Sequence, residues 1–354
     1  MEEGCEGAAK EAHDAWIGAG KEMYSAGDLD VLALGFAVVK ILYLEGQWLY
    51  LPSLLSVFEP TRVRSVMPLH CTNIRNEQAY YCCIAQLLAE ASRSSSSSPP
   101  STGAAASTAP PPPEPTASPE NVSSGSEVSG GGSEISGGSA SVKGSKGKEG
   151  GKRDDVVYVC GDSHTLTPSW RGVTVAGRRR VLRPALVTGL KHWHLRKEGT
   201  FYPKKNFEKM VSKIPKGSAV VFIFGEIDCR EGILVAVEKM RYKTAEEGVE
   251  HTVGIFIKVA EKLAKERQLR VYVHPVVPVL AETRGMVKTY NRVFRRMVDK
   301  SKHLRWLDFF DQILDPTGND LRPEFRLDGT HLAPGYTGLL EKALGDVWVE
   351  EAVP

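Results

Sequence analysis

The sequence lacks the marks of a secreted or membrane-spanning protein. Its first residues, Met-Glu-Glu-Gly-Cys-Glu, are acidic and lack the basic region and apolar core of a secretory signal. The most apolar stretch, Val31 to Phe58, is interrupted by Lys40, Glu45 and Pro52. Its uninterrupted runs are too short to span a bilayer. The sequence therefore predicts a protein without a signal peptide or transmembrane segment.

Cysteine pairs and a strong net charge are also lacking. The chain has six cysteines, none in a C-x-x-C pair, and adjacent Cys82 and Cys83 indicate helix packing more than a bridge. We expect a reducing, intracellular compartment, namely the cytoplasm. A net charge of +2 provides no strong attraction to nucleic acid, so no nucleic-acid partner is expected.

What the chain does contain divides its 354 residues into three zones. Residues 1–92 are predicted to form a small all-helical module. Residues 93–153 are mostly Ser, Pro, Gly, Ala and Thr, a composition that cannot bury enough apolar surface to fold, and we expect a disordered linker. In residues 154–354, strand-like and helix-like runs alternate, which predicts an α/β domain built on a parallel sheet.

The helical module partly matches one tetratricopeptide-type hairpin, with Gly27-Asp28 as the turn between its helices. The matching residues are Trp16, Gly20, Met23 and Phe36. A second helical unit is predicted from Asn76 to Ala91. Because only one hairpin matches, a small bundle packed against the catalytic domain or itself is an equal alternative.

The alternation after residue 154 predicts a mostly parallel sheet that is covered on both faces. The predicted strands are Val156–Cys160, Pro184–Thr188, Ser218–Phe224, Leu269–Val273 and Arg305–Phe310. In such sheets the chemistry collects beyond the carboxyl ends of the strands. Ser163, Gly225 and His274 each follow such an end, which is the first indication of a site.

Ser163 and His331 are the candidate nucleophile and base. Ser163 follows Gly161, where a small residue allows the chain to turn sharply and expose the hydroxyl. A serine needs a base to remove its proton. Asp328 precedes His331 by three residues, so its carboxylate can reach the imidazole from the same turn, as the acid of a catalytic triad does.

The blocks Gly161-Asp162-Ser163 and Asp328-Gly329-Thr330-His331 resemble the first and last signatures of the SGNH/GDSL hydrolase superfamily. The resemblance implies a flavodoxin-like three-layer α/β/α sandwich and a serine esterase that cleaves carboxylic ester or thioester bonds. It further implies Ser163 as nucleophile, His331 as base and Asp328 as orienting acid. The oxyanion hole would comprise the backbone N–H groups of Ser163 and a second-block glycine, with Gly189 chosen and Gly177 as the rival.

The chain departs from this family at its third block, Gly-x-Asn-Asp, which here reads Gly225-Glu226-Ile227-Asp228. An isoleucine cannot donate the hydrogen bond that the family's asparagine donates to the oxyanion. Losing such a donor costs about a hundred- to a thousandfold in rate. Arg230 is a candidate replacement donor, and a backbone N–H is another.

Four polar residues around these blocks are expected to support the site without carrying its chemistry; they are Asp162, His164, Glu226 and Asp228. Alternate residues of an extended segment share a face, which predicts that Glu226, Asp228 and Arg230 brace the loop as an ion-pair network. His192 and His194 lack further ligands nearby and are interpreted as pocket or surface residues. The arginines at 178–180 and 183 are interpreted as a solvated basic face.

Two functions follow. The first is an esterase that forms an acyl-enzyme on Ser163, requires neither metal nor organic cofactor, and acts on a small-molecule, carbohydrate or lipid ester. The second is an inactive SGNH-like binding module whose helices recruit a protein partner. The Ile227 substitution favours the second function, and the complete Ser/Asp/His set favours the first.

Overall fold

A computed structural model of the protein describes residues 23–65, 68–96 and 155–350, all within one compact unit. The N-terminal helices are α1 (Ala26–Leu44), α2 (Leu51–Arg64) and α3 (Arg75–Ser96). The strands are β1 (Val156–Gly161), β2 (Gly172–Val175), β3 (Arg178–Leu186), β4 (Ala219–Ile223), β5 (Arg270–Val273) and β6 (Leu304–Trp306). The remaining helices are α4 (Tyr202–Lys213), α5 (Ile233–Glu238), α6 (Ala245–Arg267), α7 (Arg284–Asp299) and α8 (Thr337–Asp346).

The six strands form one sheet in the order β2-β3-β1-β4-β5-β6. β2 runs antiparallel to β3, and every other neighbouring pair is parallel. The parallel strands therefore follow the flavodoxin-like order, in which the first strand lies between the second and the third. The strand order reverses at the boundary between β1 and β4.

Helices cover both faces of the sheet. Every residue of β4 is buried, as expected for a central parallel strand, and alternate residues point into two separate hydrophobic clusters. One cluster includes apolar residues of α4, α6 and α7, and the other those of α8. The predicted three-layer α/β/α sandwich is confirmed.

The arginine-rich segment is exposed at Arg178, Arg179 and Arg183, as the sequence predicts, but not at Arg180. It begins β3 and forms a hairpin with β2, a strand that the sequence analysis missed. Arg180 is only 1% exposed. Its guanidinium lies 4.5 Å from the ring centre of Trp348 and donates to the Val175 carbonyl at 2.6 Å. Stacking on the indole explains how one of these cations is buried.

The N-terminal residues are helical, but the predicted hairpin turn lies elsewhere. Ser25 caps α1, and its hydroxyl accepts the Asp28 N–H, so Gly27 and Asp28 lie in the first helical turn. Trp16 and Gly20 lie outside the described residues. Helix α3 covers the predicted second helical unit and continues to Ser96.

The N-terminal helices pack directly on the α/β part. Leu166, three residues after Ser163, is fully buried in the hydrophobic cluster of the helices, and Leu327 packs against the same cluster. The Tyr43 hydroxyl donates to the Leu166 carbonyl, and the Trp170 indole donates to the Tyr43 carbonyl, both at 2.8 Å. This interface connects the helices to segments next to both ends of the candidate triad.

In the part of the chain that the structure describes, no helix has both the length and the apolar character required to cross a bilayer.

Leu166→Ala tests the shared core. We expect the free energy of unfolding to fall by about 2–5 kcal/mol, because the substitution leaves a cavity beneath α1 and α3. Urea denaturation measures this change. Leu49→Ala is the matched control, since Leu49 is 82% exposed, and it should change stability by less than about 0.5 kcal/mol. Equal effects of both substitutions would contradict the packing described here.

Candidate active site

The turn after β1 exposes the Ser163 hydroxyl. Gly161 ends the strand, and a Cβ at this position would overlap the Ile223 carbonyl oxygen of β4, so only glycine fits. The Asp162 carboxylate then accepts the His164 N–H at 3.1 Å and caps a short 3₁₀ turn, Ser163–Thr165. Burial raises the pKa of Asp162. Asp162 therefore shapes the turn on which Ser163 lies.

Ser163, His331 and Asp328 form a continuous hydrogen-bonded chain. His331 Nε2 lies 2.9 Å from Ser163 Oγ, and His331 Nδ1 lies 2.8 Å from Asp328 Oδ2. The other carboxylate oxygen, Asp328 Oδ1, accepts the backbone N–H groups of Thr330 and His331 at 2.6 Å. These bonds hold the carboxylate in the orientation that leaves Nε2 facing the serine, which is the arrangement of a serine-hydrolase triad.

The surroundings of His331 favour its protonated form. Burial lowers the pKa of this imidazole, but the Cys83 sulfur and the Asp328 carboxylate outweigh burial and raise the pKa to about 10. Burial alone would raise the pKa of Asp328, yet its hydrogen bonds from His331 and the two N–H groups hold that pKa below its usual value. A charged imidazolium beside an ionised carboxylate is the state that a triad stabilises during attack.

Cys83 reaches the triad from helix α3. It is buried, and its sulfur lies within 4.8 Å of both a carboxylate oxygen of Asp328 and a ring nitrogen of His331. Three such donors can hold a metal ion. Both His331 nitrogens, however, already have partners in Asp328 and Ser163. A metal at this position would compete with the triad's own hydrogen bonds.

The sheet register separates the two glycines considered for the oxyanion hole. Gly189 follows the carboxyl end of β3, which pairs Leu186 with Gly161, so it lies on the same edge of the sheet as Ser163. Gly177 lies in the β2–β3 hairpin at the opposite end of β3, so it is removed as a candidate. Ser163 and Gly225 follow the two strands where the order reverses, which is where α/β sheets bind ligands.

Asp228 does not brace Arg230. The segment from Glu226 onward is helical, including a π-helical turn at Asp228–Gly232, and not extended as the sequence predicts. The Asp228 carboxylate therefore points away from Arg230 and accepts the His192 N–H at 2.8 Å. Burial raises the pKa of Asp228 to about 7. Asp228 thus anchors the loop that follows Gly189.

Glu226 and Arg230 do share a face, because they lie four residues apart on this helical segment. The Arg230 Nε atom is 3.5 Å from Glu226 and 3.4 Å from Glu231. Burial raises the pKa of Glu226, but His164 and Arg230 outweigh burial and lower it overall. His164 Nε2 lies 3.9 Å from the Glu226 carboxylate, and its ring centre lies 5.1 Å from that of His331.

A cavity of about 540 Å³ opens above Ser163 and His331. Of the residues that the sequence analysis selected, it is lined by Asp162, Ser163, Gly189, Glu226, Arg230 and His331. Ile227 and His194 also line it. His192 does not, contrary to expectation, since it is fully buried with its ring stacked 4.1 Å from that of Phe256.

The sequence analysis missed the contribution of the N-terminal helices to this cavity. Lys40 of α1 and Asn76, Glu77 and Tyr80 of α3 line it together with Ser163. Cys83 lies against the triad on the same helix. No spacing in the sequence connects these residues to Ser163, because the two groups lie on separate segments that meet only in the folded chain.

No protein-family model and no curated protein matches the chain. Among solved structures, a protein provisionally described as a platelet activating factor from Streptococcus pneumonia is 15% identical, with a TM-score of 0.39, over 55% of this chain and 83% of its own.

Two further structures are similar to the same share of the chain. One is a protein of Bacteroides fragilis provisionally described as an acylhydrolase, at 16% identity and a TM-score of 0.35, with 86% of its own chain covered. The other is a GDSL-like lipase of Bacteroides thetaiotaomicron, at 16% identity and a TM-score of 0.35, with 88% covered. At such low similarity, function must be argued from the geometry of the site.

The electrostatics of His331 can be measured directly. We expect the imidazole to keep its proton to a pH well above 6.5, because Cys83 and Asp328 both raise its pKa. Asp328→Asn and Cys83→Ser should each lower the midpoint that NMR titration of the ring protons records. Cys82→Ser is the matched control and should leave it unchanged. A wild-type midpoint at or below 6.5 would contradict this electrostatic description.

Proposed function

We propose that the protein is a serine esterase that cleaves carboxylic ester or thioester bonds through an acyl-enzyme on Ser163. The observation that carries the proposal is the hydrogen-bonded chain from Ser163 Oγ through His331 to Asp328, with separations of 2.9 Å and 2.8 Å. A serine hydroxyl within reach of an oriented imidazole is the geometry required for nucleophilic attack. The cavity above Ser163 has room for an ester.

In the first half-reaction, Ser163 Oγ attacks the ester carbonyl carbon while its proton passes to Nε2 of the neutral His331 imidazole, the form whose population grows as the pH rises toward its pKa of about 10. The resulting tetrahedral intermediate collapses when the bond to the leaving group breaks, and His331 returns the proton to the departing alcohol or thiol. Asp328 stays ionised throughout and stabilises the imidazolium. The product that remains is an ester of the acyl group with Ser163.

In the second half-reaction, His331 takes a proton from a water molecule as its oxygen attacks the acyl carbon. Collapse breaks the bond to Ser163 Oγ and releases the carboxylic acid, with the proton returning to the serine. Every proton in both steps moves between His331 and the reacting atoms. The scheme requires no metal or organic cofactor.

The oxyanion would be stabilised by the backbone N–H groups of Ser163 and Gly189, with Arg230 as the third donor in place of the missing asparagine. Gly189 has a positive φ of 68°, and its exposed backbone lines the cavity. The Arg230 side chain lines the same cavity and is held there by Glu226 and Glu231. A fixed cation directed at developing negative charge lowers the barrier to attack.

The proposal retains a helical module (1–92) and a hydrolase domain (154–354). Helix α3 continues past the expected start of the linker to Ser96, and the rest of that linker, residues 97–153, lies outside the described residues. The proposal also retains a cytoplasmic location, since the five described cysteines are free, as a reducing compartment requires. The alternative is an inactive SGNH-like binding module that recruits a protein partner through its helices. Ile227, which lines the cavity without a polar group, is the observation that favours it.

A fluorophosphonate probe separates the two functions. We expect the probe to label the wild-type protein, because it traps a serine that an adjacent base activates. Ser163→Ala should abolish labelling, and Ser212→Ala, on the exposed surface of α4, should not change it. Mass spectrometry identifies the modified residue. A folded wild-type protein that never labels would favour the binding module and refute the esterase.

Arg230→Ala tests the third oxyanion donor. We expect kcat for a simple ester to fall about a hundredfold, as it does on loss of one donor, with a smaller change in KM. Arg196→Ala is the control, because Arg196 stacks on Trp193 and is not among the cavity's lining residues. An Arg230→Ala variant that retains the wild-type kcat would show that Arg230 does not stabilise the oxyanion. That role would then fall to the backbone N–H groups.

A further inference from the structure

The N-terminal helices form one wall of the catalytic cavity. Lys40 projects from α1, and Asn76, Glu77 and Tyr80 project from α3, into the cavity that contains Ser163. The sequence left open whether these helices recruit a partner or pack against the domain that contains Ser163. A substrate bound at the serine would lie against them.

The polar groups of this wall are available to a ligand. Lys191 and Arg230, the cations on the other side of the cavity, both pair with Glu231. Lys40 and Glu77 make no ion pair or hydrogen bond within the described ranges, and Lys40 lies 4.8 Å from the centre of the Tyr80 ring. The Lys40 and Glu77 side chains are both half-buried. A bound hydroxyl group would take the place of the water molecules that otherwise form hydrogen bonds with the Lys40 ammonium and the Glu77 carboxylate.

The wall is held rigidly relative to Ser163. Leu166, just beyond the serine turn, is buried among α1 and α3, and the Tyr43 hydroxyl of α1 donates to its carbonyl at 2.8 Å. Packed cores of this kind permit little independent movement. The helix backbones that carry Lys40 and Glu77 are therefore positioned relative to Ser163 before substrate binds, which reduces the entropic cost of recognition.

The rim of the cavity adds two aromatic rings. Phe201 and Tyr202 are 54% and 57% exposed, and their ring centres are 5.0 Å apart. Exposed aromatic rings offer a flat apolar surface beside polar groups. Of the residues of α1 and α3 that line the cavity, only Ala79 has a purely hydrocarbon side chain. A long acyl chain would find few apolar contacts along this wall, whereas a ring that bears hydroxyl groups matches it.

We propose that α1 and α3 form the subsite for a hydroxyl-rich alcohol portion of the ester, such as a sugar, with Lys40 and Glu77 binding its hydroxyl groups. In esters of sugars the free hydroxyls belong to the alcohol and not to the acyl group, so the wall recognises the leaving group. This assignment rests on the proposed esterase function, and it makes Lys40 and Glu77 determinants of specificity.

Two acetate esters test the subsite, because they share an acyl group and differ in the alcohol. The wild-type protein should have a higher kcat/KM for an O-acetylated methyl glucoside than for cyclohexyl acetate, which is likewise an unactivated alkyl ester but has no free hydroxyl groups. Lys40→Met and Glu77→Gln should each reduce the ratio of the two values about tenfold, mainly through KM for the glucoside, because each removes a charge-assisted hydrogen bond. Lys209→Met and Glu208→Gln, on the exposed surface of α4, are the matched controls and should leave the ratio unchanged.

The outcomes separate this inference from the function on which it rests. A wild-type protein that reacts with the fluorophosphonate probe but prefers cyclohexyl acetate, or turns over the two esters equally or not at all, would refute the subsite and leave the esterase intact. An unchanged ratio in Lys40→Met and Glu77→Gln would do the same. A folded wild-type protein that never reacts with the probe would refute both.

Discussion

The site depends on one hydrogen bond, between His331 Nε2 and Ser163 Oγ, which joins side chains 168 positions apart in the chain. Neither residue is held by its local segment alone. Leu166, after the serine, and Leu327, before Asp328, both pack against the hydrophobic cluster of the N-terminal helices. Because packed cores resist displacement, that cluster holds both halves of the candidate triad in position, and the helices are part of the candidate site.

The carboxylates around this bond have separate roles that their partners determine. Asp328 accepts two backbone N–H groups and orients His331, whereas Asp228 accepts the His192 N–H and anchors the loop after Gly189. Glu226 pairs with Arg230 at the cavity. A buried charge is costly unless it is paired or hydrogen-bonded. The region of the chain that departs from the SGNH pattern is therefore a structured part of the site.

The central sheet could be predicted from sequence because strands buried on both faces are continuous apolar runs. β1 and β4 are of this kind, and both were found. The edge of the sheet was harder to predict, since the arginines that begin β3 suggest exposure. The burial of Arg180 depends on Trp348, which lies far along the chain. The helical conformation of Glu226 to Gly232 was also missed, and with it the direction in which Asp228 points.

The sequence by itself determined the fold class and the types, order and local spacing of the candidate triad residues, because burial periodicity and short-range geometry are encoded in neighbouring residues. Only the tertiary structure decided that Cys83 lies against His331, that Lys40 and Glu77 face the cavity, and that Gly189 and not Gly177 shares the edge of Ser163. These relations join segments that are distant in the chain. They depend on how whole surfaces pack and on strand register, neither of which a local pattern specifies.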